Sequence, residues 1–539
     1  MDKKGKFRFR KLDNIGAADA EEDKQFLEAC FVETGQLEIL RDCRDPRRII
    51  LGRTGSGKTA LIQKMVEIEE RTIEVKPESL ALSYISNSTI LNFVSNLGVK
   101  LDIFFKLLWR HVFTVELIKF HFGIQTEDQK FSFLSGIKNL FKDKKNQKAL
   151  EYLENWGKSF WEETEYRIKE LTTNLENSIE SSIKGQIPEF SSMTLGGAQK
   201  LTEEQKKEVI QRAQHVVNQV QIRQLSDIIE LIDKVLDDPQ KHYYITIDRL
   251  DEDWIEERVR YRLIRALIET VRDFRKVRFA KLIVAIRHDL LRRVIRLTRD
   301  PGFQEEKLES LYLPLEWNKP LLVNVLNSRV NCLVRKRYTK GNVTYRDIMP
   351  DKIRGMPTID YVLERTLMRP RDIILFFNKC ISYASDRPSI TAAIVKQAEG
   401  EYSKDRIRAL ADEWYADYPN FIGFAMILKG KKKHFLLKDL KTQECEDFCL
   451  DFMIHWDQKK DPLSIMASQV IELSLDPKEF RKSLFQIFYR IGLVGLKLEA
   501  FEGYSWIGSR QSVVASAEID EKTRVAVHPA FYRVLGISE

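Results

Sequence analysis

The chain has 539 residues, 43% of them hydrophobic and 31% charged, with a formal net charge of +8. That balance excludes a disordered or fibrous polypeptide, and the length predicts roughly three to four domains with sizeable cores. No run of about 18 apolar residues occurs, and the opening Met1-Asp-Lys-Lys-Gly-Lys-Phe-Arg has no apolar signal stretch, so the expectation is a cytoplasmic protein with no membrane partner.

The first elements in chain order carry the strongest motif. Pro46-Arg-Arg-Ile-Ile-Leu51 is a short apolar strand, and Lys58 to Glu69 has helical periodicity. Between them stands Gly52-Arg-Thr-Gly-Ser-Gly-Lys-Thr59, a complete G-x-x-x-x-G-K-[ST] pattern with the flanks it requires. Its glycines let successive backbone N–H groups turn onto phosphates, where the following helix N-terminus adds positive potential. Lys58 is expected on the β- and γ-phosphates and the Thr59 hydroxyl on Mg²⁺, with Gly52, Arg53, Thr54, Gly55, Ser56, Gly57 and Ala60 completing the cradle. ATP and Mg²⁺ are the expected ligands.

Two further strands follow at Tyr243-Tyr-Ile-Thr-Ile247 and Ala280-Lys-Leu-Ile-Val-Ala-Ile286, with a helix-rich segment from Trp254 to Arg275 between them. Alternating strands and helices predict a parallel sheet covered on both faces. About 170 residues separate the first helix from the Tyr243 strand, more than one crossover needs, which predicts a long helical insertion. Ile210, Ala213, Val217, Val220, Leu225, Ile228, Ile232 and Val235 have helical spacing, and Thr202 and Gln205 read as a capping box. Residues 185–197 read as the loop of a projecting helical hairpin, with packing on its own domain and subunit contact weighed evenly.

From Leu321 to Arg408 the pattern is helical and reads as a lid, with Pro370 in the first turn of the helix opened by Met368-Arg-Pro-Arg-Asp372. Helices around Lys433 to Leu440 and Asp476 to Tyr489, then β-like pieces at Tyr504-Ser-Trp-Ile507 and Arg524-Val-Ala-Val527, predict a winged-helix-like end. The expected divisions are 1–75 (N-terminal segment and phosphate loop), 76–240 (insertion), 241–320 (second part of the ATPase core), 321–410 (lid) and 411–539 (winged-helix-like). The basic run Lys429-Gly-Lys-Lys-Lys-His434 has no interleaved aromatics and reads as a solvated turn rather than a phosphate-backbone contact. Six scattered cysteines read as reduced thiols.

A magnesium-bound triphosphate also needs a carboxylate at the tip of a neighbouring strand, where Asp248 stands. Beyond it, Glu252 and then Asp251 are the candidates to orient or deprotonate the attacking water, with an acidic helix start formed by Asp251, Glu252 and Asp253 as the lesser alternative. Arg287, ahead of His288 and Asp289 at the tip of the next strand, is the candidate sensor of the γ-phosphate, with an ion pair to Asp289 or Asp248 as the structural alternative. Arg371 at the lid-helix start is a second nucleotide-contacting candidate, and Arg369 its alternative.

Taken together, Gly16-Ala-Ala-Asp-Ala-Glu21, Phe26-Leu-Glu-Ala-Cys-Phe31, the loop from Gly52 to Ala60, Ile247-Asp-Arg-Leu-Asp-Glu252, Arg287 and Arg369-Pro-Arg-Asp372 resemble bacterial P-loop ATPases of the FunZ type, relatives of the KAP and STAND signalling ATPases, over roughly residues 12 to 380. The resemblance implies an α/β core of the additional-strand (AAA+/STAND-like) type, with the sensor strand between the Walker A and Walker B strands, a helical lid and often a winged helix. It also implies a switch that assembles on ATP binding, in families frequent in anti-phage defence islands beside an effector. Two departures stand out: the chain has no evident effector or sensor repeat, and Asp248 lacks an immediately following glutamate, which leaves the catalytic acid open between Asp251 and Glu252.

The leading expectation is a regulatory ATPase that binds and hydrolyses ATP, changes oligomeric or conformational state as a homo-oligomer, and controls a separately encoded effector in bacterial anti-phage defence. Arg260, Arg262 and Arg265 are candidate fingers in trans. The alternative is a DNA-binding ATPase of initiator or motor type holding nucleic acid with the winged helix; a nucleotide-binding scaffold without turnover is the third reading.

Overall fold

The computed structural model describes residues 7–78, 101–122, 232–299, 304–335, 341–455, 461–499, 501–507 and 514–538, with scattered positions between 203 and 230. The projecting hairpin, its loop at 185–197 and the capping box at Thr202 and Gln205 lie outside the described residues. The chain divides into two compact units, one comprising Glu33–Arg53 and Lys58–Leu315, the other Met1–Val32, Thr54–Gly57 and Glu316–Glu539.

The first unit is an α/β layer structure. Its elements are α1 (Gln36–Arg41), β1 (Ile49–Gly52), α2 (Lys58–Ile68), β2 (Thr72–Glu74), α3 (Asp102–Phe122), β3 (Tyr243–Ile247), α4 (Glu257–Asp273), β4 (Ala280–Arg287), α5 (His288–Thr298) and β5 (Tyr312–Pro314). The five strands form one sheet in the order β2-β3-β4-β1-β5, all pairs parallel. β4 therefore lies between β1 and β3, the order expected from the resemblance. Every residue of β1 and β3 is buried, as is β4 up to its last residue, which is why these strands read as continuous apolar runs rather than alternating ones. Ile49, Ile245, Ile247, Leu282 and Val284 pack with Trp109 and Phe113 of α3 and Leu263, Leu267 and Val271 of α4. Lys281 breaks the apolar run of β4, and its buried ammonium donates to the carbonyls of Ile39 and Asp42 at the end of α1, 2.7 Å each.

The second unit holds two cores. Helices α6 (Lys319–Arg335), α7 (Thr358–Glu364), α8 (Pro370–Tyr383) and α9 (Ala392–Trp414) enclose the first, with Leu322, Leu326, Phe376, Phe377 and Tyr402 against Phe9 and Ile15 of the N-terminal segment. That segment is tied down by polar contacts. Asn378 accepts from the Ile15 N–H (2.9 Å) and donates to the Gly16 carbonyl (2.8 Å), and buried Arg329 pairs with Asp23. Pro370 begins α8, where its missing N–H costs nothing, as the sequence predicts.

The first half of α9 serves that core; its second half, through Ile407, Leu410 and Trp414, enters the other. There β6 (His434–Leu436), α10 (Thr442–His455), α11 (Pro462–Ile471), α12 (Pro477–Ile491), β7 (Val494–Lys497) and β8 (Arg524–Val527) follow, the strands forming an antiparallel sheet ordered β6-β8-β7. α12 has complete start and stop signals: Asp476 caps the Lys478 N–H (2.8 Å), Pro477 is first in the helix, and Gly492 ends it left-handed. One expectation is corrected here. Lys433 to Leu440 is not a helix but strand β6 and a single tight turn, because Phe435 pairs with Val525 in the sheet and the Asp439 carboxylate takes the Leu436 N–H. Of Tyr504 to Ile507, Ser505 makes an isolated bridge to Leu496. The basic run is largely exposed, with Lys431 paired to Glu444. All six cysteines are free thiols.

Candidate nucleotide-binding site

Parallel sheets gather functional groups at the carboxyl ends of their strands, and the candidate residues of the first unit converge there. Gly52 at the end of β1 is in register with Arg287 at the end of β4, and Asp248 follows directly on β3. The Thr59 hydroxyl, in the first turn of α2, donates to the Asp248 carboxylate at 2.7 Å. The other Asp248 oxygen accepts from the Arg249 N–H at 2.8 Å, which Arg249 reaches by adopting a left-handed backbone (φ 60°). Burial pushes the Asp248 pKa up, against the Thr59 hydroxyl, the Arg249 N–H and Lys58, which pull it down.

Lys58 donates from Nζ to the carbonyls of Gly52 (3.1 Å) and Arg53 (3.2 Å). Burial lowers its pKa while Asp248 and Asp251 oppose the drop, so the ammonium is a desolvated cation held by main-chain dipoles. Arg287 forks onto Asp289, Nε at 3.0 Å and Nη2 at 2.8 Å, and its remaining Nη1 reaches Asp251 at 3.0 Å. The ion pair with Asp289 weighed in the sequence is therefore present. Glu252 is 3.5 Å from Arg249, each side chain 45% exposed. Buried Arg260 donates to the Glu252 carbonyl (2.7 Å) and to Asp253 (2.5 Å). His288 is held neutral, its pKa lowered to about 4 by burial and by Arg292, Lys58 and Arg53.

The loop tip, Thr54 to Gly57, groups with the second unit, where three successive carbonyls are taken up. Arg369 Nη1 donates to Thr54 O (2.9 Å), the Arg371 N–H to Gly55 O (3.4 Å) and the Trp317 indole to Ser56 O (2.7 Å). Gly55 has φ +77°, and a Cβ there would lie 2.7 Å from Arg371 Cβ, so both its backbone and its surroundings require glycine. The hydroxyls of Thr54 and Ser56 are buried with no hydrogen-bond partner among the described residues. Arg371 sends Nε to the Ala18 carbonyl (2.9 Å). Arg369, considered in the sequence as its stand-in, is instead structural: only 6% exposed, it forks onto Asp372 and touches Glu413.

Sequence reasoning missed Trp317 and Glu413, which stand in no recognisable motif and owe their positions to tertiary packing. Ala60 extends α2 beyond Thr59. No group of three or more His, Cys, Asp or Glu side chains that would hold a metal alone occurs among the described residues.

Residues 320–411, from α6 to α9, match the FunZ-associated C-terminal helical domain. The chain is also 21% identical over 541 residues to an Escherichia coli (strain K12) protein named for transposon gamma-delta, of 80.3 kDa, covering 98% of this chain and 68% of that protein. Among the described residues no helix is long and apolar enough to cross a membrane.

Proposed function

We propose that the chain is a P-loop ATPase of the additional-strand type that binds Mg-ATP at loop 52–59 and uses binding and slow hydrolysis to switch its oligomeric or conformational state. The observation that carries this reading is the 2.7 Å contact between Thr59, in the first turn of the helix that follows β1, and Asp248, directly after β3, with β4 between those two strands. A hydroxyl and a carboxylate so placed are the two protein ligands that Mg²⁺ takes when phosphate oxygens and waters supply the rest. The fit is supported by the buried, unpartnered hydroxyls of Thr54 and Ser56 and by the desolvated ammonium of Lys58. Bound Mg²⁺ would supply neutralising charge to the phosphates.

The chain's own residues carry the remaining roles. Lys58 exchanges its two loop carbonyls for phosphate oxygens. Arg287, held by Asp289 and Asp251, has a guanidinium available to exchange one carboxylate partner for a γ-phosphate. Asp251, which Arg287 engages, and Glu252 remain the two candidates for positioning water. Arg371, beside Gly55, is the second nucleotide-contacting arginine. A homo-oligomer and a separately encoded effector, in anti-phage defence, complete the reading through the FunZ-type resemblance.

The test is titration of the purified protein with Mg-ATP by calorimetry, wild type against Lys58→Ala: saturable binding abolished by the substitution supports the reading, and no binding by wild type ends it. A second reading, a DNA-acting ATPase, is favoured by the transposon name of the E. coli relative and by the C-terminal module, where β6 precedes α10, α11 and α12 and β7 and β8 follow them to complete a three-stranded antiparallel sheet, a winged-helix-like order. Salt-sensitive DNA binding with DNA-stimulated hydrolysis would shift weight to it.

A further inference from the structure

A loop that binds phosphate through its N–H groups must turn its carbonyls the other way, and something must hold them there. In this chain the carbonyls of Thr54, Gly55 and Ser56 each meet a donor from one stretch of sequence, Trp317 to Arg371. The donors are not solvent-exposed side chains that happen to reach the loop. Arg369 is fixed before it arrives, forked onto Asp372 (2.9 and 3.3 Å), and Asp372 is in turn held by Arg406 Nη1 (2.9 Å) and the Leu367 N–H (3.0 Å). Asp372 is fully buried, so the guanidinium has no freedom to leave without stranding a charge. Trp317 stands two residues before α6 and also lies against Gly57, 3.7 Å from where a Cβ would be.

We propose that Trp317 and Arg369 are positioning residues of the nucleotide loop, a carbonyl clamp that holds residues 54–57 in the phosphate-receiving form before any ligand arrives. The proposal rests on the nucleotide reading above. Neither side chain needs to touch nucleotide; each fixes the backbone that does. Pre-organising a loop raises affinity by removing the ordering cost from the binding step. Loss of one hydrogen bond of this kind is worth about 1 kcal/mol, about a fivefold change in affinity.

The variant that isolates the clamp is Trp317→Phe, which removes the indole N–H and keeps an aromatic ring; Arg369→Lys is its partner, keeping the charge and losing the fork. Three quantities are read on the full chain: the dissociation constant for Mg-ADP, the melting temperature without nucleotide, and hydrogen exchange of the peptide spanning 53–61 without nucleotide. The expected result for Trp317→Phe is Mg-ADP binding about fivefold weaker, faster exchange in 53–61, and an unchanged melting temperature. Wild-type affinity and wild-type exchange in Trp317→Phe would overturn the clamp while leaving the nucleotide reading intact. A fall in affinity matched by a fall in melting temperature, with exchange raised throughout the unit, would also overturn it, since that is general loss of structure. Faster exchange confined to 53–61 in a protein whose wild type binds no Mg-ADP would refute the nucleotide reading and, with it, the positioning role.

Discussion

Thr59 and Asp248 are separated by 189 positions in the chain, yet the hydroxyl of one donates to the carboxylate of the other at 2.7 Å. Burial raises the Asp248 pKa. A raised carboxyl pKa means that the ionised form is penalised by folding: its contribution is favourable below the ordinary carboxylate range and is lost as pH rises. At neutral pH, without Mg²⁺, Asp248→Asn is therefore expected to melt at or above the wild-type temperature. The same variant should lose Mg²⁺-dependent ATP binding by roughly 10- to 100-fold. Thermal melts with and without Mg-ATP check both halves; a strongly destabilised nucleotide-free Asp248→Asn would contradict the account.

Lys58 follows the same logic with opposite charge. Its lowered pKa reflects the cost of burying an ammonium that loop carbonyls satisfy only in part. Lys58→Met should leave the nucleotide-free melting temperature unchanged or slightly higher and abolish the rise that Mg-ATP produces in the wild type. A fall of several degrees without ligand would show that the lysine serves the fold instead.

Arg287 is predicted to act on turnover more than on affinity. Its fork onto Asp289 supports the strand tip, so Arg287→Lys, which keeps the charge, is the informative change. Hydrolysis should fall about 10- to 1,000-fold with KM within a few-fold of wild type, the pattern of a contact made in the transition state. Equal loss in KM alone would make Arg287 a ground-state binder.

Gly55→Ala places a methyl group 2.7 Å from Arg371 Cβ at φ +77°. The left-handed backbone alone costs roughly 1–2 kcal/mol for a residue bearing a Cβ. Weakened nucleotide binding is expected together with a lower melting temperature of the second unit, by a few degrees at the usual scaling. An unaffected protein would mean that the loop tip has room the structure does not give it.

The Arg369–Asp372–Arg406 cluster makes a pH prediction. Burial pushes the Asp372 carboxyl up, but Arg369 and Arg406 outweigh it and hold the pKa below its ordinary value. A depressed carboxyl pKa contributes stability above the unfolded-state value that disappears as pH falls through the folded one. Asp372→Asn should destabilise the second unit by about 3–5 kcal/mol at pH 7, and the gap to wild type should close below about pH 4. A gap that persists in acid would assign the loss to packing.

Much of the first unit was legible because its signals are local. β1, the glycine loop and α2 are consecutive, β3 and β4 are mostly apolar runs interrupted by Thr246 and Lys281, and Asp248 and Arg287 stand at strand tips that any parallel sheet would align. What escaped the sequence is what distance in the chain conceals. Phe435 and Val525 pair although they stand 90 positions apart, so β6 read as helix, and β7 was hidden behind the glycine that ends α12. Arg369 and Arg371 stand two residues apart in the same motif, and nothing local says that one enters a buried salt-bridge cluster while the other lies along the loop. Trp317 carries no motif at all; its indole finds Ser56 only through the fold.

The central claim, that nucleotide governs assembly, is tested most directly by the native mass of the purified protein with and without Mg-ATP, comparing wild type with Glu252→Gln and Lys58→Ala. The account predicts a nucleotide-dependent larger species that persists in Glu252→Gln and is missing in Lys58→Ala. An unchanged mass for all three proteins, in every nucleotide condition, would contradict it.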